Sequence, residues 1–278
     1  REKNLVNQIY DRMLENGYHG LLIEPEDALQ RATKKTLLVV CDTHTTNIIE
    51  SVDLYNACHT VVVIDHHRKM VGHIDNAVIF YHEPYASSAS EMVTELVQYF
   101  NEKIKIGRPE AEALLAGIML DTKNFIIKTG VRTFEAAAYL RKMGADTVEV
   151  RKLFASTMEA YQRKAKLVAN AQVYKGCAIA WSTERDDTEI QVTAAQAADE
   201  LLNISGVQAS FLMFEQGKGV SYSARSMGQL NVQIIMEKLG GGGHHTMAGA
   251  QTPGITMDEA RQRLREAIDQ YFEENSRK

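Results

Sequence analysis

The run Val61 to Arg68, VVVIDHHR, constrains this chain more than any other stretch. An unbroken apolar run of β-branched residues reads as a strand covered on both faces, as in a parallel sheet. In open α/β sheets, ligands bind beyond the carboxyl ends of such strands. The strand therefore delivers Asp65, His66, His67 and Arg68 to one point. An acid beside imidazoles is a donor set for a divalent ion of the Mn²⁺ or Zn²⁺ kind.

A second strand ends in the same way. Thr36 to Cys41, TLLVVC, runs into Asp42, Thr43 and His44. Two strand ends that both carry acid plus imidazole predict neighbouring strands converging on one site. A third acid, Asp121, ends the apolar helical run Ala111 to Leu120. A carboxylate leaving such a segment needs a partner if buried, and a metal ion supplies one. Ser88 and Glu91 have capping-box spacing before a helical run to Phe100, which by itself accounts for Ser87 and Ser88. That helix start also offers free N–H groups to a phosphate. Farther on, four glycines, Gly240 to Gly243, precede His244. Consecutive glycines are costly in chain entropy and fit close approach of a ligand to a nest of backbone N–H groups. Ser223 to Ser226 sets Arg225 at a strand end, where a guanidinium can grip phosphate at two points.

Asp-Thr-His after one strand and Asp-His-His after the next resembles the DHH phosphoesterases. That family includes RecJ-type exonucleases, manganese inorganic pyrophosphatases, oligoribonucleases and cyclic-di-AMP phosphodiesterases. The segment Asp121 to Asp146 resembles the GdpP-type cyclic-di-AMP phosphodiesterases closely. The glycine–histidine loop and Arg225 resemble the DHH-associated domain, with Met247 where alanine is common. The resemblance implies two Mn²⁺ ions, with Asp42 bridging them and His66 and Asp121 holding one. It implies that Asp65 orients a histidine and that His67 and Arg68 face the phosphate. Ser87, Ser88, Arg225, Ser226, Gly241, Gly242, Gly243 and His244 are then the substrate contacts. The implied reaction is cyclic-di-AMP to linear 5′-pApA. An oligoribonuclease or pAp phosphatase stays open, as does a nucleotide-binding module without activity. For Arg132, pairing with a nearby acid is a sufficient account. The family's His-x-x-x-Asp-x-Asp strand has no match before Asp42, and Tyr18-His19-Gly20 does not supply it. The expectation is that this strand lies upstream of Arg1 and that residues 1–278 alone hold an incomplete metal set.

Composition narrows the partners. A chain of 278 residues with net charge −5 carries no global basic field to recruit a long nucleic acid. A cyclic dinucleotide or short oligonucleotide is the more natural substrate. Cys41, Cys58 and Cys177 lack metal spacing and point to a reducing, cytoplasmic setting, with Cys41 and Cys177 expected in the core. No apolar stretch reaches the roughly 20 residues of a membrane span. The expectation is a cytoplasmic segment without membrane contact, compatible with a larger membrane-anchored protein, and a homodimer.

The predicted fold is α/β. A DHH-type, largely parallel sheet with helices on both faces occupies residues 1–150. A helical connector follows over 151–171, then a smaller α/β domain with a mixed sheet over 172–278. A third strand is expected at Ile74 to Phe80 and a single strand at Val173 to Trp181. Capping-box spacing predicts a helix start at Thr193. Paired strands are expected at Val207 to Phe214 and Val220 to Arg225, a helix at Asn231 to Leu239, a loop at Gly240 to Gly243, and a last helix capped by Thr256 and Glu259.

Overall fold

β-Branched runs alternating with helical segments build a parallel sheet in the first part of the chain. In the computed structural model the chain divides into two compact units, Arg1–Ala155 and Ser156–Lys278. The structure describes residues 5–100, 106–182 and 189–275.

The first unit begins with helices α1 (Leu5–Glu15) and α2 (Pro25–Arg31). Strands β1 (Leu37–Cys41), β2 (Thr60–Asp65) and β3 (Ile79–His82) then form a parallel sheet in the order β1-β2-β3, with helix α3 (Val52–Ala57) between the first two. The registers Cys41↔Ile64 and Asp65↔His82 bring the three strand ends side by side. Helices α4 (Ala89–Gln98), α5 (Arg108–Asp121), α6 (Val131–Lys142) and α7 (Thr147–Leu153) complete the unit. One sheet face buries Val40, Val61 and Val63 with Ile74, while the other packs Ile64 on Ala86 and Met92.

Two expectations need correction here. The third strand starts at Ile79, because Ile74 is spent on the core as the end of a loop, 1% exposed. Cys41 is exposed, not a core thiol. It shares one face of edge strand β1 with Leu37 and Val39, and both of those are exposed as well. Cys177 is buried as expected.

The second unit holds helix α8 (Met158–Ala169), strands β4 (Gln172–Tyr174) and β5 (Cys177–Ser182), helix α9 (Ile190–Leu201), strands β6 (Ala209–Gln216) and β7 (Gly219–Ser226), helix α10 (Val232–Glu237), strands β8 (Gly242–His244) and β9 (Met247–Pro253), and helix α11 (Met257–Asn275). Its six strands form one mixed sheet in the order β4-β5-β6-β7-β9-β8. Phe211, Met213, Ile235, Leu264 and Ile268 form the core under one face, and Leu212 and Phe214 pack with Ala194 and Leu201 on the other. The expected pair β6–β7, helix α10 and the Thr256–Glu259 cap of α11 are all present.

Three local features differ from expectation. The expected strand Val173–Trp181 is a hairpin, because Lys175 and Gly176 take left-handed angles (φ 49° and 76°) and reverse the chain in two residues. Helix α9 starts three residues before Thr193, whose backbone N–H already bonds Glu189 O at 3.0 Å, so Thr193 is a buried interior position. The glycine run is a loop only at Gly240 and Gly241; Gly242 and Gly243 enter β8 and pair with β9.

Candidate metal centre

Strand β1 leaves Asp42 at its end in a left-handed conformation (φ 63°), while its N–H still donates to Ile64 O at 2.9 Å. A non-glycine residue in this region is uncommon, and aspartate is among those that tolerate it. The twist turns the carboxylate out of the ladder and toward the end of β2. There the His66 Nε2 lies 3.3 Å from Asp42 Oδ1 and 3.5 Å from Asp121 Oδ2. Two donors sharing one ion at about 2.1 Å each lie roughly 3.0–3.5 Å apart, so the set has the spacing of a metal site.

The tautomer of His66 agrees. Its Nδ1 lies 3.3 Å from Ala86 O. A carbonyl oxygen only accepts, so Nδ1 carries the proton and Nε2 keeps its lone pair for an ion. The protein electrostatics also ask for a cation. A proton can take the ion's place on Nε2, and the hydrogen bond it then donates to Asp42 raises His66 above its ordinary value. Burial, then the Asp42 charge, push Asp121 up. A carboxylate whose ionisation is disfavoured by burial and a neighbouring acid is relieved by a positive ion beside it.

Asp121 is the last residue of α5, and it leads into a strained turn. Lys123, Asn124 and Phe125 are all left-handed (φ 47°, 59° and 65°), at roughly 1–2 kcal/mol each. Thr122, fully buried, anchors this turn: its hydroxyl donates to Ile118 O at 2.7 Å and accepts from Phe125 N at 2.9 Å. Nothing in the composition of the segment announces the turn.

Behind the side chains of Asp42, His66 and Asp121 lies a buried hydrogen-bonded group. Asp65 is 0% exposed and accepts from His67 N (3.2 Å), His67 Nδ1 (2.8 Å) and His44 Nδ1. Burial pushes its carboxyl up, but the hydrogen bonds from His44 and His67 outweigh this and hold it below the ordinary range. His67 Nδ1 is thereby occupied, although it lies only 3.8 Å from Asp42. Its role differs from that of His66: its Nε2 points away from Asp65. His44, named in its strand-end motif but given no role of its own, and His82, not singled out from the sequence, join this group. His82 Nε2 donates to His67 O at 2.6 Å. The available signal was that the third strand also ends in histidine.

The other expected site residues of this unit lie nearby. Arg68 is exposed, directly after His67. Ser87 and Ser88 are each 1% exposed; Ser88 Oγ caps α4 by accepting from Glu91 N at 3.0 Å, and Ser87 Oγ donates to the buried Glu91 carboxylate at 2.5 Å. Arg132 pairs with Glu95 through two 2.7 Å hydrogen bonds, in line with the pairing account.

In the second unit Arg225 sits near the end of β7, its side chain 12% exposed and 3.5 Å from Asp199 Oδ1. Burial pushes the guanidinium pKa down, against the opposing charge of Asp199. Ser226 Oγ donates to Leu230 O at 2.7 Å and closes the following loop. His244 is exposed at the sheet edge. The glycines divide by purpose. A Cβ on Gly241 would lie 2.1 Å from Gly249 O, and one on Gly243 2.5 Å from Ala248 Cα. Both positions require glycine for close packing against β9. Gly242 alone of the three faces open space. Gly243→Ala is therefore expected to destabilise by about 1–3 kcal/mol through overpacking, and Gly242→Ala to leave stability within about 0.5 kcal/mol. Urea melts of the two variants measure this.

An acid and a histidine at adjoining parallel strand ends, met by a second acid from the end of α5 and followed by a second mixed-sheet unit, define the class of fold. Comparison with known proteins matches residues 3–118 to the DHH family, N-terminal domain, and residues 173–274 to the DHHA1 domain. The chain belongs to the DHH family. It is 52% identical over 254 residues to cyclic-di-AMP phosphodiesterase GdpP of Geobacillus thermodenitrificans, covering 90% of this chain and 38% of that protein. It is 44% identical over 275 residues to cyclic-di-AMP phosphodiesterase PdeA of Listeria monocytogenes, covering 97% of this chain and 41% of that protein. The chain thus spans about two fifths of these relatives. An exopolyphosphatase-related protein from Bacteroides fragilis shares the fold, with a TM-score of 0.74 at 22% identity, over 94% of this chain and 76% of the other. No described helix is long and apolar enough to cross a membrane.

Proposed function

We propose that this chain is the catalytic part of a Mn²⁺-dependent phosphodiesterase that hydrolyses cyclic-di-AMP to linear 5′-pApA. The convergence of Asp42, His66 and Asp121 carries the reading, in a chain 52% and 44% identical to proteins named cyclic-di-AMP phosphodiesterases. These three side chains would hold the ion. A mixed oxygen and imidazole set suits Mn²⁺ better than Mg²⁺, which favours oxygen ligands and retains its waters. Bound there, such an ion supplies Lewis acidity toward phosphoryl oxygens and activates water for attack.

The chain's own residues do the rest. Asp65 takes the Nδ1 proton of His67 as a hydrogen bond, which leaves His67 Nε2 as the atom that can exchange a proton with a substrate oxygen. Arg68, exposed beside it, offers a planar fork to the phosphoryl group. Ser87 and Ser88 act through the α4 N-terminus that they order, whose dipole favours an anion. Arg225, Ser226 and the Gly241–His244 segment hold phosphate and nucleoside, Gly242 being the point where backbone can be approached closely.

The test is hydrolysis by the protein that contains this chain, with Mn²⁺, of cyclic-di-AMP beside linear pApA and pAp. Accumulation of 5′-pApA from the cyclic substrate is expected. Turnover of the linear substrates alone would make the chain an oligoribonuclease or pAp phosphatase. Arg225→Ala is expected to raise KM about tenfold, the loss of one charge-assisted hydrogen bond, with metal content unchanged. Loss of metal at constant KM would remove Arg225 from substrate binding.

A further inference from the structure

His44, Asp65 and His82 place imidazole nitrogens and a carboxylate within 4.8 Å of one another, the spacing of a second ion site. Their hydrogen bonds exclude that use. Met70 N–H donates to His44 Nε2 at 2.9 Å, so Nε2 has no lone pair to give. Nδ1 must then carry the ring proton, and it is aimed at Asp65 Oδ2. His82 Nε2 is committed to His67 O. His44 is thus held as one neutral tautomer between two fixed partners, 2% exposed, edge-on to Phe80 and His82 at 6.4 and 5.4 Å.

Both partners lead to groups assigned to the reaction. Asp65 uses its other oxygen to hold the ring and the backbone of His67. Met70 lies in the segment that carries Arg68. Packing contributes little to its middle, since Met70 is 58% exposed and Val71 fully so. Strand-like ties hold it: Ile74 N donates to His44 O at 2.8 Å, and Thr45 bridges His73. The segment from His67 to Ile74 is therefore fastened to the two residues after Thr43 at Met70 and again at His73 and Ile74.

We propose that His44 is a positioning residue, which locks Asp65 on one side and Met70 on the other and so sets the ring of His67 and the placement of Arg68. This rests on the reading of His67 and Arg68 as the groups that face substrate. It assigns a distinct purpose to the third residue of the Asp42-Thr43-His44 strand end: that of the first is to hold the ion, that of the third to aim the side chains of the next strand end.

The test uses three variants in the full chain. His44→Phe keeps a ring in the slot and removes both hydrogen bonds. His44→Asn puts an amide N–H where Nδ1 stands and restores the donor to Asp65. His44→Gln retains an acceptor for Met70 but no donor to Asp65, and replaces the phenylalanine variant if that one does not fold. Expected are a fall in kcat of about 10–100-fold for His44→Phe, KM and calorimetric Mn²⁺ affinity within about twofold, and recovery to within about threefold by His44→Asn. In metal-free protein, ¹⁵N imidazole shifts should report His67 as a single Nδ1–H tautomer in wild type and His44→Asn, and as a mixture in His44→Phe. The proposal is overturned if His44→Phe keeps kcat within about twofold of wild type, if Mn²⁺ affinity falls in step with kcat, or if the His67 tautomer is the same in all variants. Should wild type turn over no dinucleotide, the proposed function fails while the ¹⁵N measurement still decides the role of His44.

Discussion

Asp42→Asn is expected to lower kcat at least about 100-fold while leaving the fold intact, the scale of losing one strong transition-state stabiliser. The two halves of this result have separate causes. Asparagine tolerates the left-handed backbone that position 42 adopts, and the N–H to Ile64 O contact is unaffected. The Asp42 side chain is 58% exposed, so no packing is lost. What disappears is a negative charge 3.3 Å from His66 Nε2, in a set of two carboxylates. Metal content should fall with kcat, and the thermal midpoint should not. Near wild-type turnover in the folded variant would remove Asp42 from the ion site.

Asp65→Ala should act on the fold itself. The carboxylate is fully buried and accepts from His44 and from two N–H groups of His67. Truncation strands those donors in the interior and opens a cavity. Removing one member of a buried, charge-assisted cluster costs about 3–5 kcal/mol. A shift of that size in urea-melt stability is the measurement, and a change under about 1 kcal/mol would mean that water replaces the carboxylate. The same group makes the wild type acid-sensitive. Its folded value lies below the ordinary 3.8, so its contribution is complete above that value and is lost as pH falls through the lower, folded one. The alanine variant should lack this part of the acid slope.

The strand ends that carry chemistry were legible in the sequence because β-branched runs and polar stops coincide there. Asp42, His66 and Asp121 stand out from the sequence alone, and the structure brings them together. What was not legible depends on register or on a single dihedral angle. His44 was visible in its motif without a role, because its partner Asp65 lies on the neighbouring strand and only the Cys41↔Ile64 pairing opposes them. The third strand was placed too early because Ile74 is apolar for the sake of the core rather than of a strand. The hairpin at Lys175 was invisible because lysine seldom takes the left-handed angle it has there. The glycine run suggests an opening for ligand, yet two of its members answer to the backbone of β9, a contact formed across the sheet.

The left-handed angle at Asp42 also bears on inheritance. Glycine adopts φ near 63° freely, and aspartate and glycine codons differ by one base. A single missense change at this codon therefore deletes the charge and relieves backbone strain in the same step. Glycine's added chain entropy offsets part of that relief, so Asp42→Gly is expected to stay folded. Such a lesion would pass unseen in abundance measurements and show only in an assay of the site itself.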